Sequence, residues 1–157
     1  MHIYTDGSCL GNPGRGGWGF IMYGADDEVY RHSGNALMTT NNIMELTAMD
    51  FALDYVLHIM DTDHVLHVLN DSGEFHIYTD SNYVKLGTTE WIKKWKINNF
   101  KTALGKDVKN KQLWVSIDQK MERLGDKINV HWVRAHDGNE RNEAVDRLAR
   151  YEAESIK

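Results

Sequence analysis

The four residues Ile3-Tyr4-Thr5-Asp6 recur as Ile77-Tyr78-Thr79-Asp80, and this echo restricts the possible fold more than any other feature of the chain. Each copy ends on an aspartate, the pattern of a short strand that stops at a polar site. Strand side chains alternate with a period of two, so Asp6 shares a sheet face with Tyr4, and Asp80 with Tyr78. Adjacent parallel strands would then set the two carboxylates side by side at their C-terminal ends, where open mixed sheets build their sites. A single aspartate after a strand serves equally well as a turn residue or helix cap, whereas two matched copies argue for a shared task.

The rest of the chain supplies elements to surround that pair. The glycine-rich stretch Gly7-Ser8-Cys9-Leu10-Gly11-Asn12-Pro13-Gly14-Arg15-Gly16-Gly17 reads as a turn out of the first strand. Further strands are expected at 18–23 and 28–36, joined through Gly24-Ala25-Asp26-Asp27 as an antiparallel hairpin. Thr40-Asn41-Asn42 is a helix-start signal, and Met44, Ala48, Phe51, Ala52, Tyr55 and Ile59 follow at helical spacing, which predicts a long amphipathic helix. Beyond the second copy, helical segments are expected at 81–86, 90–98 and 111–124, then a strand at 128–133 and a final helix from about 142. The order β-β-β-α-β-α-α-α-β-α predicts an α/β protein, a five-stranded mixed β-sheet flanked by α-helices, with residues 1–157 forming one domain.

Composition removes several function classes. No apolar run nears the roughly 18–20 residues that span a bilayer, and Asp6 interrupts the N-terminus before a signal-like stretch can develop, so no membrane partner and a cytoplasmic location are expected. The single cysteine, Cys9, excludes an intramolecular disulfide framework and a structural zinc cluster, in keeping with a reducing compartment. The net charge of −5 speaks against a nucleic-acid partner only if it is spread evenly. It is not: Lys93, Lys94, Lys96, Lys101, Lys106, Lys109 and Lys111 face one acid, Asp107, within nineteen residues. Such segregation suits a basic docking surface beside an acidic pocket, although a solvated helix face would carry the same charges.

Two further acids complete a constellation. Glu45 falls in the first turns of the long helix, beside its apolar stripe, where the helix dipole alone would also favour an acid. Asp146 lies within Asn142-Glu143-Ala144-Val145-Asp146-Arg147-Leu148-Ala149, an awkward neighbour for apolar Val145, Leu148 and Ala149 unless it is metal-bound or paired with Arg147 or Arg150. Four carboxylates converging in a partly desolvated pocket repel one another, and divalent cations are the usual remedy. Oxygen-only donors select Mg²⁺ or Mn²⁺ over zinc, and two such ions about 4 Å apart suit phosphodiester hydrolysis.

Three motifs, Tyr4-Thr5-Asp6-Gly7-Ser8-Cys9-Leu10-Gly11-Asn12-Pro13-Gly14, Thr39-Thr40-Asn41-Asn42-Ile43-Met44-Glu45-Leu46 and Tyr78-Thr79-Asp80-Ser81, resemble those of type 1 ribonuclease H in order and context. The likeness continues through Trp91-Ile92-Lys93-Lys94-Trp95, Val108-Lys109-Asn110-Lys111-Gln112-Leu113-Trp114 and Val133-Arg134-Ala135-His136 to Asp146, and so covers nearly the whole chain. The resemblance implies a ribonuclease H-like fold with a basic protrusion, acting as a monomer on RNA–DNA hybrid duplexes. It implies Mg²⁺-dependent cleavage of the RNA strand, leaving 5′-phosphate and 3′-hydroxyl ends, with two ions held by Asp6, Glu45, Asp80 and Asp146 and with Mn²⁺ as a substitute. His136 takes the family's loop histidine, which assists proton transfer or product departure. Cys9, Asn12, Asn42 and Asn82 match positions that read RNA 2′-hydroxyls, while Thr40 and Asn41 match positions that hold a DNA-strand phosphate. Trp91, Trp95 and Phe100, with Lys93, Lys94 and Lys96, match the protrusion that grips the duplex.

Each of these has a plainer reading: the asparagines could be caps, and aromatics four residues apart could be a packed stripe. The sequence also departs from the family's pattern. Asn82 replaces a glutamine, Ala144 replaces an arginine, and the segment 57–74, with His58, His64 and His67, is longer than usual and offers a remote chance of a metal site. Two rivals remain: a non-catalytic hybrid- or duplex-binding module of the same fold, and a nuclease of this superfamily that acts on DNA.

Overall fold

Strand β1 (His2–Leu10) takes neighbours on both sides. It pairs antiparallel with β2 (Gly14–Tyr23), which pairs antiparallel with β3 (Glu28–Thr39). On its other side β1 runs parallel to β4 (Phe75–Thr79), and β4 parallel to β5 (Ile128–Trp132), giving the order β3-β2-β1-β4-β5. This computed structural model describes residues 1–62 and 73–156. The expected five-stranded mixed sheet is therefore present, with β2 and β3 each longer than the spans 18–23 and 28–36. Most of the glycine-rich stretch is strand rather than turn, because Ser8 and Cys9 pair with Gly17 and Gly16. Glycine is needed there for close approach: a Cβ on Gly17 would lie 2.2 Å from the Ala149 carbonyl of the last helix.

The period of two divides the sheet between two layers of helix. Ile3, Phe20 and Met22 face one core with helix α1 (Asn41–Met60), while Tyr4, Ile21 and Tyr23 face Val145 of the C-terminal helix. Thr40 caps α1 by accepting from the Ile43 N–H at 3.2 Å, as the start signal suggested. The helix is less amphipathic than expected. It lies between the sheet and a later helix, so Leu46, Met49, Leu53 and Val56 are buried together with Met44, Ala48, Ala52 and Ile59. Phe51 and Tyr55, read as core positions, sit instead at the margin, stacked on Trp18 at 4.4 Å and on Tyr30 at 4.0 Å.

After β4 the two expected helical segments are one continuous run: α2 (Asn82–Leu86), a π turn (Gly87–Trp91) and α3 (Ile92–Ile97). Gly87 admits the fully buried Trp114 ring, which a Cβ would meet at 1.9 Å. Helix α4 (Lys111–Leu124) and a short 3₁₀ turn lead into β5, and α5 (Glu140–Ser155) closes the described chain, capped by Asn139. His64 and His67 lie outside the described residues, and His58 is exposed on α1 beside Tyr55. No helix among the described residues is long and apolar enough to cross a membrane.

Candidate active site

The register of the parallel pair carries the sequence echo into three dimensions. Ile3 pairs with Ile77 and Tyr4 with Tyr78, so two residues further on Asp6 lies beside Asp80. Only the second copy ends its strand as expected: Asp80 follows the last residue of β4, whereas Asp6 sits within β1 opposite Gly19, because pairing with β2 carries that strand on to Leu10. The Tyr4 and Tyr78 rings stack at 4.5 Å and 10°, which a slip of register would break. Beyond β4 the backbone is pinned twice, by Trp132 Nε1 donating to the Asp80 carbonyl at 3.1 Å and by the Ser81 N–H donating to Thr79 Oγ1 at 3.1 Å.

Glu45 arrives from α1. Its helix presses against β1 at Gly7, whose N–H donates to the Glu45 carboxylate. Asp6 and Glu45 are almost wholly buried, at 3% and 4% exposure, and with Asp80 they bring carboxylate oxygens within 4.8 Å of one another. Asp146, from α5, lines the same cleft of about 350 Å³, close enough to act on Asp6, with its Oδ2 held by Arg150 Nη2 at 2.7 Å. A larger groove of about 660 Å³ between the starts of α1 and α4 holds a lysine and an acid that pair with each other, Lys111 and Asp107.

This crowding shows in the acidities. Burial, then the charges of Glu45 and Asp80, raise the Asp6 carboxyl well above the ordinary aspartate range. Burial also pushes Glu45 up to about 8, with smaller contributions from Asp80 and Asp146, against the hydrogen bonds from Asp6 and Gly7 that favour its charged form. Glu45 Oε2 is buried with no donor in reach. A divalent cation answers both the repulsion and the orphaned oxygen, and a donor set of carboxylate oxygens without thiolate suits a hard ion. The residues present therefore fit an acid-held cation.

The other residues singled out from the sequence are spread more widely. Cys9 and Asn41 line the cleft beside His136, which is exposed in the loop between β5 and α5 with φ 54°. Asn12 Oδ1 accepts from the Asn41 N–H at 3.0 Å, tying the glycine stretch to the start of α1. The Thr40 hydroxyl is occupied as the cap, Asn42 is half-buried in the first turn, and Asn82 is exposed at the start of α2, where Ser81 is the cap. Thr40 thus caps the helix as its start signal suggested, and Asn12 ties two elements together without being the cap.

Comparisons with known proteins give the family. The RNase H family model matches residues 1–154. The chain belongs to the ribonuclease H family. A ribonuclease H from Anaplasma marginale (strain St. Maries) is 45% identical over 152 residues, covering 97% of this chain and 89% of the relative. Among solved structures, LC9-RNase H1, a type 1 RNase H with the type 2 active-site motif, superposes with a TM-score of 0.77 at 29% identity, covering 99% of this chain and 72% of that one. LC11-RNase H1 in complex with an RNA/DNA hybrid gives 0.66 at 23% identity, covering 98% and 96%.

As a ribonuclease H, the chain carries a basic protrusion whose charge is partly spent. Lys96 Nζ lies 3.4 Å from Asp118 and also bonds Glu122, while Lys101 and Lys111 both reach Asp107, at 2.6 and 3.2 Å. Lys93, Lys94, Lys106 and Lys109 are exposed and without an ion-pair partner among the described residues. Trp95 is half-buried against Trp91, Phe100 and Trp114, with ring centroids 5.8, 6.3 and 5.3 Å away, so its ring helps hold the protrusion together.

Two residues at the ribonuclease H cleft escaped sequence reasoning as site candidates. Arg150 figured only as an alternative partner for Asp146, and it occupies that place. Asn142 Nδ2 donates to Asp80 Oδ2 at 3.2 Å. The available signal was spacing: Asn142 and Asp146 are one turn apart on α5 and share a face.

Proposed function

We propose that this chain is an endonuclease that hydrolyses the RNA strand of RNA–DNA hybrids, using Mg²⁺ with Mn²⁺ as a working substitute and leaving 5′-phosphate and 3′-hydroxyl ends. The observation that carries the reading is the convergence of Asp6, Glu45 and Asp80 within 4.8 Å in the open cleft of a ribonuclease H family chain. These three, with Asp146, are the residues that hold the ions. Bound in a pair, such ions supply an activated water and stabilise the leaving oxygen. The protein's own contribution is orientation. The β1–β4 register, the Gly7 contact and the Trp132 anchor hold the carboxylates in place before substrate arrives, so little reorganisation is left to the reaction.

His136, at the cleft wall on an exposed loop, moves a proton to or from the departing product. Cys9, Asn12, Asn42 and Asn82 contact 2′-hydroxyls, the chemistry that separates RNA from DNA. Thr40 and Asn41, at the N-terminus of α1, hold a phosphate of the DNA strand, and the exposed Lys93 and Lys94 give salt-sensitive affinity without sequence preference, with Trp95 and Lys96 as their support. The hybrid bound to LC11-RNase H1, a neighbour in fold, supports the choice of duplex. A single free cysteine fits a reducing compartment such as the cytoplasm, where the chain works as a monomer in this proposal.

A labelled RNA–DNA hybrid incubated with Mg²⁺ tests the reading. RNA cleavage is expected, an all-DNA duplex should stay intact, and Asp6→Asn or Asp80→Asn should lower kcat by at least about 1000-fold. An inert parent protein, or variants that cut as fast as the parent, would overturn it.

A further inference from the structure

Asn142 is buried where an amide is expensive. It is 2% exposed, and its Oδ1 has no hydrogen-bond partner. An unsatisfied buried carbonyl is destabilising, so a residue placed there for packing alone would be better as an apolar one. Helix capping does not account for it either, because Asn139 is the cap and accepts from the Asn142 backbone N–H at 3.0 Å. What the side chain does contact is Asp80, through Nδ2 at 3.2 Å. The opposite amide orientation would set a carbonyl against a carboxylate, so the chemistry settles which atom faces Asp80.

We propose that Asn142 is a positioning residue for the cation site: its Nδ2 fixes the orientation of the Asp80 carboxylate, and its buried Oδ1 is kept for a donor that arrives with the bound cation. The proposal rests on the reading of the cleft as a cation-dependent nuclease. Among the side chains that could hold Asp80, an amide has a particular advantage. Lysine or arginine would also orient the carboxylate, but would neutralise it and compete with the cation for it, as Arg150 does at Asp146. A neutral donor leaves the charge available. The placement on α5 makes the two roles inseparable, since the helix face that brings Asp146 to the cleft brings Asn142 to Asp80 one turn earlier.

Two variants separate positioning from packing: Asn142→Leu, which keeps the volume without the donor, and Asn142→Ala, which removes both. Three readouts are needed: Mn²⁺ binding to the protein alone by titration calorimetry, thermal unfolding in chelator, and kcat and KM on an RNA–DNA hybrid. Loss of a partner that orients a ligand typically lowers metal affinity or activity 10- to 100-fold. Both variants should therefore bind Mn²⁺ about 10-fold more weakly or worse and lose kcat to a similar degree, with KM unchanged because Asn142 is buried away from the duplex. The leucine variant should unfold no earlier than the parent in chelator. If it binds Mn²⁺ and turns over as the parent does, the proposal is overturned, and the same holds if Mn²⁺ affinity falls only in step with thermal stability. Failure of the parent to cut hybrids would instead remove the functional reading, leaving the calorimetric comparison to decide on Asn142.

Discussion

A Cβ built on Gly7 would lie 2.4 Å from the backbone nitrogen of Glu45, so the strand carrying Asp6 and the helix carrying Glu45 touch through a position that tolerates no side chain. The contact is backbone against backbone, and no rotamer change can relieve it. Gly7→Ala should therefore push α1 away from β1, costing about 1–3 kcal/mol of stability by overpacking. It should also lower kcat on a hybrid by more than 10-fold, because a displacement near 1 Å at a catalytic constellation has that effect. Urea unfolding and steady-state cleavage check the two halves. Unaltered kcat in a destabilised protein would show that the Asp6–Glu45 spacing is not set at Gly7.

The raised acidities of Asp6 and Glu45 make stability depend on pH in a definite direction. For Glu45 the folded value, about 8, lies above the ordinary 4.5, so between them the native state binds more protons than the unfolded chain. Stability is then full below about 4.5 and declines as pH rises through about 8, the reverse of an ion-paired carboxylate. Asp6 shifts in the same direction and adds to the slope. In chelator, the unfolding temperature should fall from pH 5 to pH 8. Glu45→Gln should flatten the fall and unfold about 2–8 °C higher at pH 8, as expected for a gain of about 1–2 kcal/mol in a chain of this length. Millimolar Mg²⁺ should restore the parent at pH 8 and do little for the variant. A parent more stable at pH 8 than at pH 5 without metal would contradict the buried acid pair.

How far the sequence foretold this arrangement depends on the range of the forces involved. The repeated Ile-Tyr-Thr-Asp was legible because a strand's period of two and a parallel register are local rules, and Tyr4 on Tyr78 obeys them. Thr40 as a cap was legible for the same reason. Helix α1 was misread as amphipathic because its surroundings are tertiary: burial of Leu46, Met49 and Leu53 follows from α4 lying across the side away from the sheet, which no pattern within residues 41–60 reveals. Long-range pairing also hid the state of the lysines, since Lys96 is answered by Asp118 and Glu122 from a different helix. Asn142 was passed over because its partner is also long-range: its amide meets Asp80, on a different element of the fold.

That division among the lysines has a measurable consequence. Counterion release counts the cations that reach phosphates, at a slope of roughly 0.9 per contact in log affinity against log salt. Lys93 and Lys94 are exposed and unpaired among the described residues, whereas Lys96 is held by two acids. Replacing Lys93 and Lys94 by alanine should raise KM at moderate salt, leave kcat near the parent value and reduce the salt slope by about 1–2. Lys96→Ala should leave the slope almost unchanged. Equal slopes for all three proteins would demote the exposed pair to a solvated face.

His136 holds a left-handed backbone conformation, φ 54°, which costs a residue with a β-carbon about 1–2 kcal/mol and a glycine almost nothing. Gly138, two residues on at φ 80°, shows what the loop would choose for stability alone. A histidine retained at such a position beside the carboxylate cleft argues for work done by the imidazole. His136→Gly should therefore raise folding stability by about 0.5–1 kcal/mol through relief of that strain. The same change should lower kcat on a hybrid by about 100-fold, the scale of a lost general acid or base, with KM little affected. Opposite signs for stability and turnover in one variant are the signature sought. If His136→Gly gains stability and keeps full kcat, the histidine has no part in proton transfer.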